Sequence, residues 1–190
     1  VGLEPRASIS NNLASTLALK ASYNRTFQYI QQATNTASAF PTDQWFSVNK
    51  NIKPQRADQV AIGLFKNFDI GLETSMEIYY KWMDQQIDYR DNAQIAFNEN
   101  LDGELLLGKG WAYGAEFYIA KTAGKSTGFL SYTWAKTMRE IEGISGGNPY
   151  VAGFDRRHNL SLVFTQKFSK RLLATASFVY SSGQPLTTPI

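Results

Sequence analysis

Along residues 71–90 the chain alternates between apolar and polar positions. Leu72, Thr74, Met76, Ile78, Tyr80 and Trp82 share one parity, and Glu73, Ser75, Glu77, Tyr79, Lys81 and Met83 share the other. Successive side chains of a strand point to opposite faces of its sheet, so this alternation predicts a strand with one apolar and one polar face. The stretch is far longer than the ~5–6 residues usual in soluble domains. A strand that crosses a bilayer as part of a barrel needs such length, and it carries its aromatic residues near the end of the apolar band.

The same alternation recurs. Strands are expected at residues 5–10, 15–32, 56–68, 71–90, 109–122, 127–137, 156–167 and 172–182. Short turns are expected near 11–14 (at Asn11-Asn12), 67–70, 123–126 and 168–171, and long connections at 33–54, 91–108 and 138–155. Short turns at one end and long loops at the other are the pattern of a transmembrane barrel, with the turns periplasmic and the loops extracellular. The expected fold is therefore all-β: an antiparallel transmembrane β-barrel segment of about eight long strands. Tyr23, Tyr80, Trp82, Trp111, Tyr113, Tyr132, Trp134 and Tyr180 fall toward strand ends, as an interfacial girdle requires. Met76, Ile78, Tyr80 and Trp82 are assigned to lipid. Lys20, Glu73, Glu77, Lys81 and Glu116 are assigned to the lumen, because an ionised group on the lipid face costs ~2–4 kcal/mol at mid-depth. A soluble sandwich would repeat its strands every ~8–12 residues, a much shorter interval.

Composition narrows the class further. Charged residues make up 18% and aromatic residues 14%, which excludes a disordered chain. The net charge is +3, without a basic block, so no nucleic-acid partner is expected. Cysteine is absent, which removes disulfides, thiolate metal sites and cysteine nucleophiles together. No run approaches the ~18 apolar residues of a spanning helix. The mean hydropathy of −0.31 does not argue against a membrane, because alternating strands average out. The start, Val1-Gly2-Leu3-Glu4-Pro5-Arg6, has no apolar leader core, and the chain reads as an internal piece of something longer.

Three motifs hint at chemistry, and each lacks its context. Residues 103–110 nearly spell a phosphate loop, but Gly110 stands where a magnesium-binding hydroxyl belongs and an alternating strand follows instead of a helix. Gly143-Ile144-Ser145-Gly146-Gly147 matches a nucleophile elbow, with Asp155 and His158 following in hydrolase order, yet it lies in a glycine-rich loop. Asp84, Asp88 and Asp91 lack the glycine and glutamate of a calcium loop. No catalytic residue, metal or cofactor is expected. Trp45, Phe46, Tyr89, Arg90, Tyr150 and Phe154 lie near the outer mouth, where aromatic and planar cationic groups can stack on sugars, peptides or planar chelates. They are the candidate ligand-binding residues.

Five segments, in order, resemble TonB-dependent outer-membrane receptors. They are Lys53-Pro54-Gln55-Arg56-Ala57-Asp58-Gln59 running to Gly63, residues 77–89, the Gly108-Lys109-Gly110-Trp111-Ala112-Tyr113-Gly114-Ala115-Glu116-Phe117 strand, residues 132–136, and Asp155-Arg156-Arg157-His158-Asn159-Leu160. The resemblance implies a C-proximal part of a roughly 22-stranded plugged barrel. Residues 1–190 would form a partial barrel domain without the family's plug, its energy-coupling box or its closing strands. It further implies an outer-membrane location and active uptake of a siderophore, glycan or peptide. The implied partners are lipid, the rest of the barrel and plug, the inner-membrane TonB protein and a surface lipoprotein. The alternatives are a passive porin-like barrel and a soluble β-rich carbohydrate-binding or structural protein.

Overall fold

The computed structural model describes residues 2–33, 44–91, 93, 98 and 101–185. Its strands are β1 (Arg6–Ala14), β2 (Leu17–Gln28), β3 (Ile30–Ala33), β4 (Gln44–Ser47), β5 (Gln55–Phe68), β6 (Leu72–Tyr89), β7 (Leu105–Lys121), β8 (Ser126–Glu140), β9 (Tyr150–Val151), β10 (His158–Lys167) and β11 (Leu173–Ser181). Eight of them form one antiparallel path in the order β1-β2-β5-β6-β7-β8-β10-β11. The short β9 pairs with β8 off that path, and β3 and β4 form a separate two-stranded ribbon. The expected all-β fold of about eight long antiparallel strands is what the chain adopts.

Element boundaries depart from expectation in instructive ways. Asn11 and Asn12 do not turn the chain; they pair with Leu19 and Ala18, and the turn falls at Ser15-Thr16. The ladder with β2 overrides the local turn preference of asparagine. The expected strand at 15–32 breaks at Tyr29, beyond which β3 pairs back on β4 inside what reads as an irregular connection. Residues 34–43 of that connection lie outside the described residues. Strand β7 starts at Leu105, four residues before the alternation does, and β8 runs on to Glu140. Leu105 and Leu106 break the alternation because a loop covers each face of this extension, while Leu107 stays exposed. Phe46 and Ile52 pack with Leu105, Ile87 and Tyr89 on one side. On the other, Ile141 lies against Gly108 and Leu106 approaches Gly143.

A bulge makes this extension possible. Gln85 adopts φ 57°, and the β6–β7 register shifts between Asp84 and Gln86. An extra residue in one strand of a pair exchanges the faces of everything beyond it. Ile87 and Tyr89 therefore join Leu107 and Leu105 on the apolar face, where Ile87, Tyr89 and Leu105 are buried. Gln86 and Asp88 turn to the other.

Candidate functional site

The registers assemble two contrasting faces. Leu19, Leu64, Met76, Phe117, Tyr132, Leu160 and Tyr180 form one transverse row, and Ala21, Ile62, Ile78, Ala115, Trp134 and His158 form the next. Met76, Ile78 and Trp82 are 46%, 48% and 49% exposed, and Ile62, Leu64, Ile119 and Phe178 are likewise uncovered. A soluble protein would bury such a continuous apolar surface. Toward the loop end this face becomes aromatic. The rings of Tyr80 and Trp82 lie 4.7 Å apart, those of Tyr80 and Tyr113 stack at 6.2 Å, and Tyr113 meets Trp134 at 5.9 Å. His158 Nδ1 is 2.8 Å from the Tyr132 hydroxyl within the same band.

The opposite face carries the charged, hydroxyl and small residues, interrupted by Phe65, Tyr79, Tyr118, Phe129 and Val163. One row runs Ser10, Lys20, Gly63, Glu77, Glu116, Thr133, Asn159 and Ser181 across all eight strands. Glu73 and Lys81 share the parity of Glu77 on β6. Lys20, Glu73, Glu77, Lys81 and Glu116 therefore occupy one face together. Gly114 leaves room there for a neighbour: a Cβ on it would sit 2.9 Å from the Tyr79 hydroxyl and 2.6 Å from the Trp134 carbonyl oxygen.

At the loop end the six mouth residues divide. Phe46 and Tyr89 meet edge to face at 6.4 Å inside the small core with Ile52, Ile87 and Leu105, and they are only 8% and 7% exposed. Arg90 donates through Nε and Nη2 to the two Glu104 carboxylate oxygens at 2.6 Å each, a bidentate clamp across the hairpin. The Tyr150 hydroxyl donates to Asp88 Oδ2 at 2.9 Å, and Arg139 Nη1 donates to the same oxygen at 2.9 Å. Burial, reinforced by the Asp88 carboxylate, pushes the Tyr150 hydroxyl well above the ordinary tyrosine range. Trp45 and Phe154 remain 66% and 55% exposed, with the Arg139 guanidinium 5.2 Å from the Phe154 ring centroid. Trp45 and Phe154 belong to different loops, and no described contact joins them.

Arg139 and Glu104 organise this region, and neither stands out in the sequence. The usable signal was the loss of alternation at residues 105–107, which marks a hairpin packed on both sides. The suggestive motifs are engaged elsewhere. Ser145 N–H donates to Asp91 Oδ2, Asp155 accepts from Thr137 N–H and from Arg157, and His158 faces Tyr132. The elbow-like residues thus have three separate sets of partners. Residues 101–104 form a 3-10 turn leading into β7, with no helix to receive a phosphate.

No curated protein and no solved structure matches the chain. The family model described as TonB dependent receptor-like, beta-barrel, covers residues 2–189. Eight long antiparallel strands, an uncovered apolar face ending in an aromatic band and a family match over nearly the whole chain lead to one conclusion: the chain belongs to the TonB-dependent receptor β-barrels of the Gram-negative outer membrane, a non-enzymatic transport family.

Proposed function

We propose that this chain is part of the wall and outer mouth of a receptor that captures a siderophore, glycan or peptide and imports it by TonB-dependent uptake. The two-faced sheet carries this reading. The face of Met76, Ile78, Tyr80 and Trp82 meets lipid, and the face of Lys20, Glu73, Glu77, Lys81 and Glu116 lines the lumen, where it meets the plug or passing solute. At the mouth, Trp45 and Phe154 offer open rings for stacking on solute. Phe46, Tyr89, Arg90 and Tyr150 hold the loops that present them. Beyond this chain the partners are the rest of the barrel and plug, the inner-membrane TonB protein and a surface lipoprotein.

The test uses the full-length receptor in cells offered a panel of siderophores, glycans and peptides. One class should accumulate, and collapse of the proton-motive force should abolish that accumulation. Trp45→Ala combined with Phe154→Ala should weaken capture without changing receptor abundance. Accumulation that continues after de-energisation would instead favour a passive porin.

A further inference from the structure

The turn end carries charges that the fold does not use. Lys66, Lys121, Lys125, Lys167, Lys170 and Arg171 flank the turns at Asp69-Ile70-Gly71, residues 122–125 and residues 168–172, against only Asp69 and Glu73. Six basic against two acidic groups give +4 at this end, more than the +3 of the whole chain. None of the six enters an ion pair among the described residues. Lys121 Nζ donates to the Ile70 carbonyl oxygen at 3.3 Å, and Lys66 Nζ lies 4.7 Å from the Phe68 ring centroid. Phe68, Ile70, Phe168 and Leu172 stand exposed among these cations. Large apolar side chains beneath long basic ones are the arrangement of a membrane interface, where the stems lie in hydrocarbon and the heads reach the headgroups.

We infer that this rim is a docking surface for anionic glycerophospholipid headgroups in the periplasmic leaflet of the outer membrane. The inference rests on the turns being periplasmic, as in the receptor barrel family, and is independent of which solute the receptor carries. Lys66 and Lys121 sit on the lipid face, in register with Thr74 and Leu72. Lys125, Lys170 and Arg171 extend the same positive edge along the turns. A phosphodiester with no compensating amine fits it; a zwitterionic headgroup brings its own cation and fits less well.

The test is native mass spectrometry of the full-length detergent-purified receptor titrated with phosphatidylglycerol or phosphatidylethanolamine. Wild type should prefer phosphatidylglycerol, and the preference should fade as salt rises. Changing Lys66, Lys121, Lys125, Lys170 and Arg171 together to Gln should weaken phosphatidylglycerol binding by about tenfold or more. Lys109→Gln with Arg156→Gln, at the loop end, should not weaken it. Equal binding of the two lipids by wild type, or undiminished binding by the five-site variant, would overturn the inference. The wild-type comparison decides the matter even if the five-site variant fails to assemble. Capture of an acidic periplasmic protein by the rim, with no lipid preference, would also overturn it.

Discussion

The two ends of the sheet handle charge in opposite ways. At the loop end Arg25, Arg56, Arg90, Lys109, Arg139 and Arg157 each face a carboxylate: Asp58, Asp84, Glu104, Glu140, Asp88 and Asp155 respectively. At the turn end none of the six cations faces a carboxylate among the described residues. The difference follows from what each end must do. Long loops have backbone and side chains to order, and partly buried pairs such as Arg139–Asp88 fix one arrangement, since separating such partners is costly. Tight turns are already fixed by their strands, so their side chains remain available to whatever surrounds the barrel. Charge at the mouth shapes the protein; charge at the turns addresses its environment.

That contrast is easiest to break between the two ends, where the faces diverge most. Ile78→Lys places an ammonium on the uncovered apolar face and should cost ~2–4 kcal/mol, enough to reduce assembled receptor in the outer-membrane fraction sharply. Glu77→Lys, one residue away on the polar face, should assemble nearly as wild type. Equal yields of heat-modifiable receptor from both would remove the distinction between faces.

A smaller effect is expected at the mouth. Asp88→Ala strips Arg139 and Tyr150 of their shared acceptor and leaves the half-buried guanidinium without its carboxylate. The local cost should be about 1–3 kcal/mol. It should appear as faster proteolytic nicking within residues 141–155 of an otherwise assembled receptor. A nicking rate equal to wild type would mean that the loop is held by something else.

The smallest expected effect is in pH. Because the folded state raises the Tyr150 hydroxyl, its contribution is complete below the unfolded tyrosine value and is lost as pH climbs past it. Loop protection should be flat from neutral pH to about 10 and weaken only above that. Tyr150→Phe should remove this alkaline weakening. A loss of protection below pH 9 would contradict the assignment.

Much of the fold was legible because a bilayer imposes a strict code. Residues 72–83 alternate with only Thr74, Tyr79 and Met83 departing from the pattern, and their strand and its two faces follow from that period. The code stops at Asp84. Beyond Asp84 the bulge at Gln85 reverses the faces, and a positive φ at glutamine carries no sequence signature. Leu105 and Leu106 are apolar on opposite faces because two different loops cover them, a tertiary fact invisible to periodicity. Asn11-Asn12 misled for a similar reason: local turn preference lost to a ladder of cross-strand bonds. Aromatic type alone could not sort the mouth residues, since Trp45 and Phe46 are adjacent yet one is exposed and the other buried.

On the proposed reading β6 crosses the membrane with one face to lipid and one to the lumen. Residues 1–190 contain no cysteine, so in a full-length receptor freed of any cysteine outside them single cysteines can be introduced one at a time at positions 75–82 and spin-labelled in bilayers. Relaxation by molecular oxygen, which concentrates in lipid, is compared with relaxation by a water-soluble nickel chelate. Oxygen accessibility should peak at 76, 78, 80 and 82 and fall at 75, 77, 79 and 81, a two-residue period in phase with Ile78. A flat profile, or one that peaks at position 77, would contradict the barrel-wall assignment.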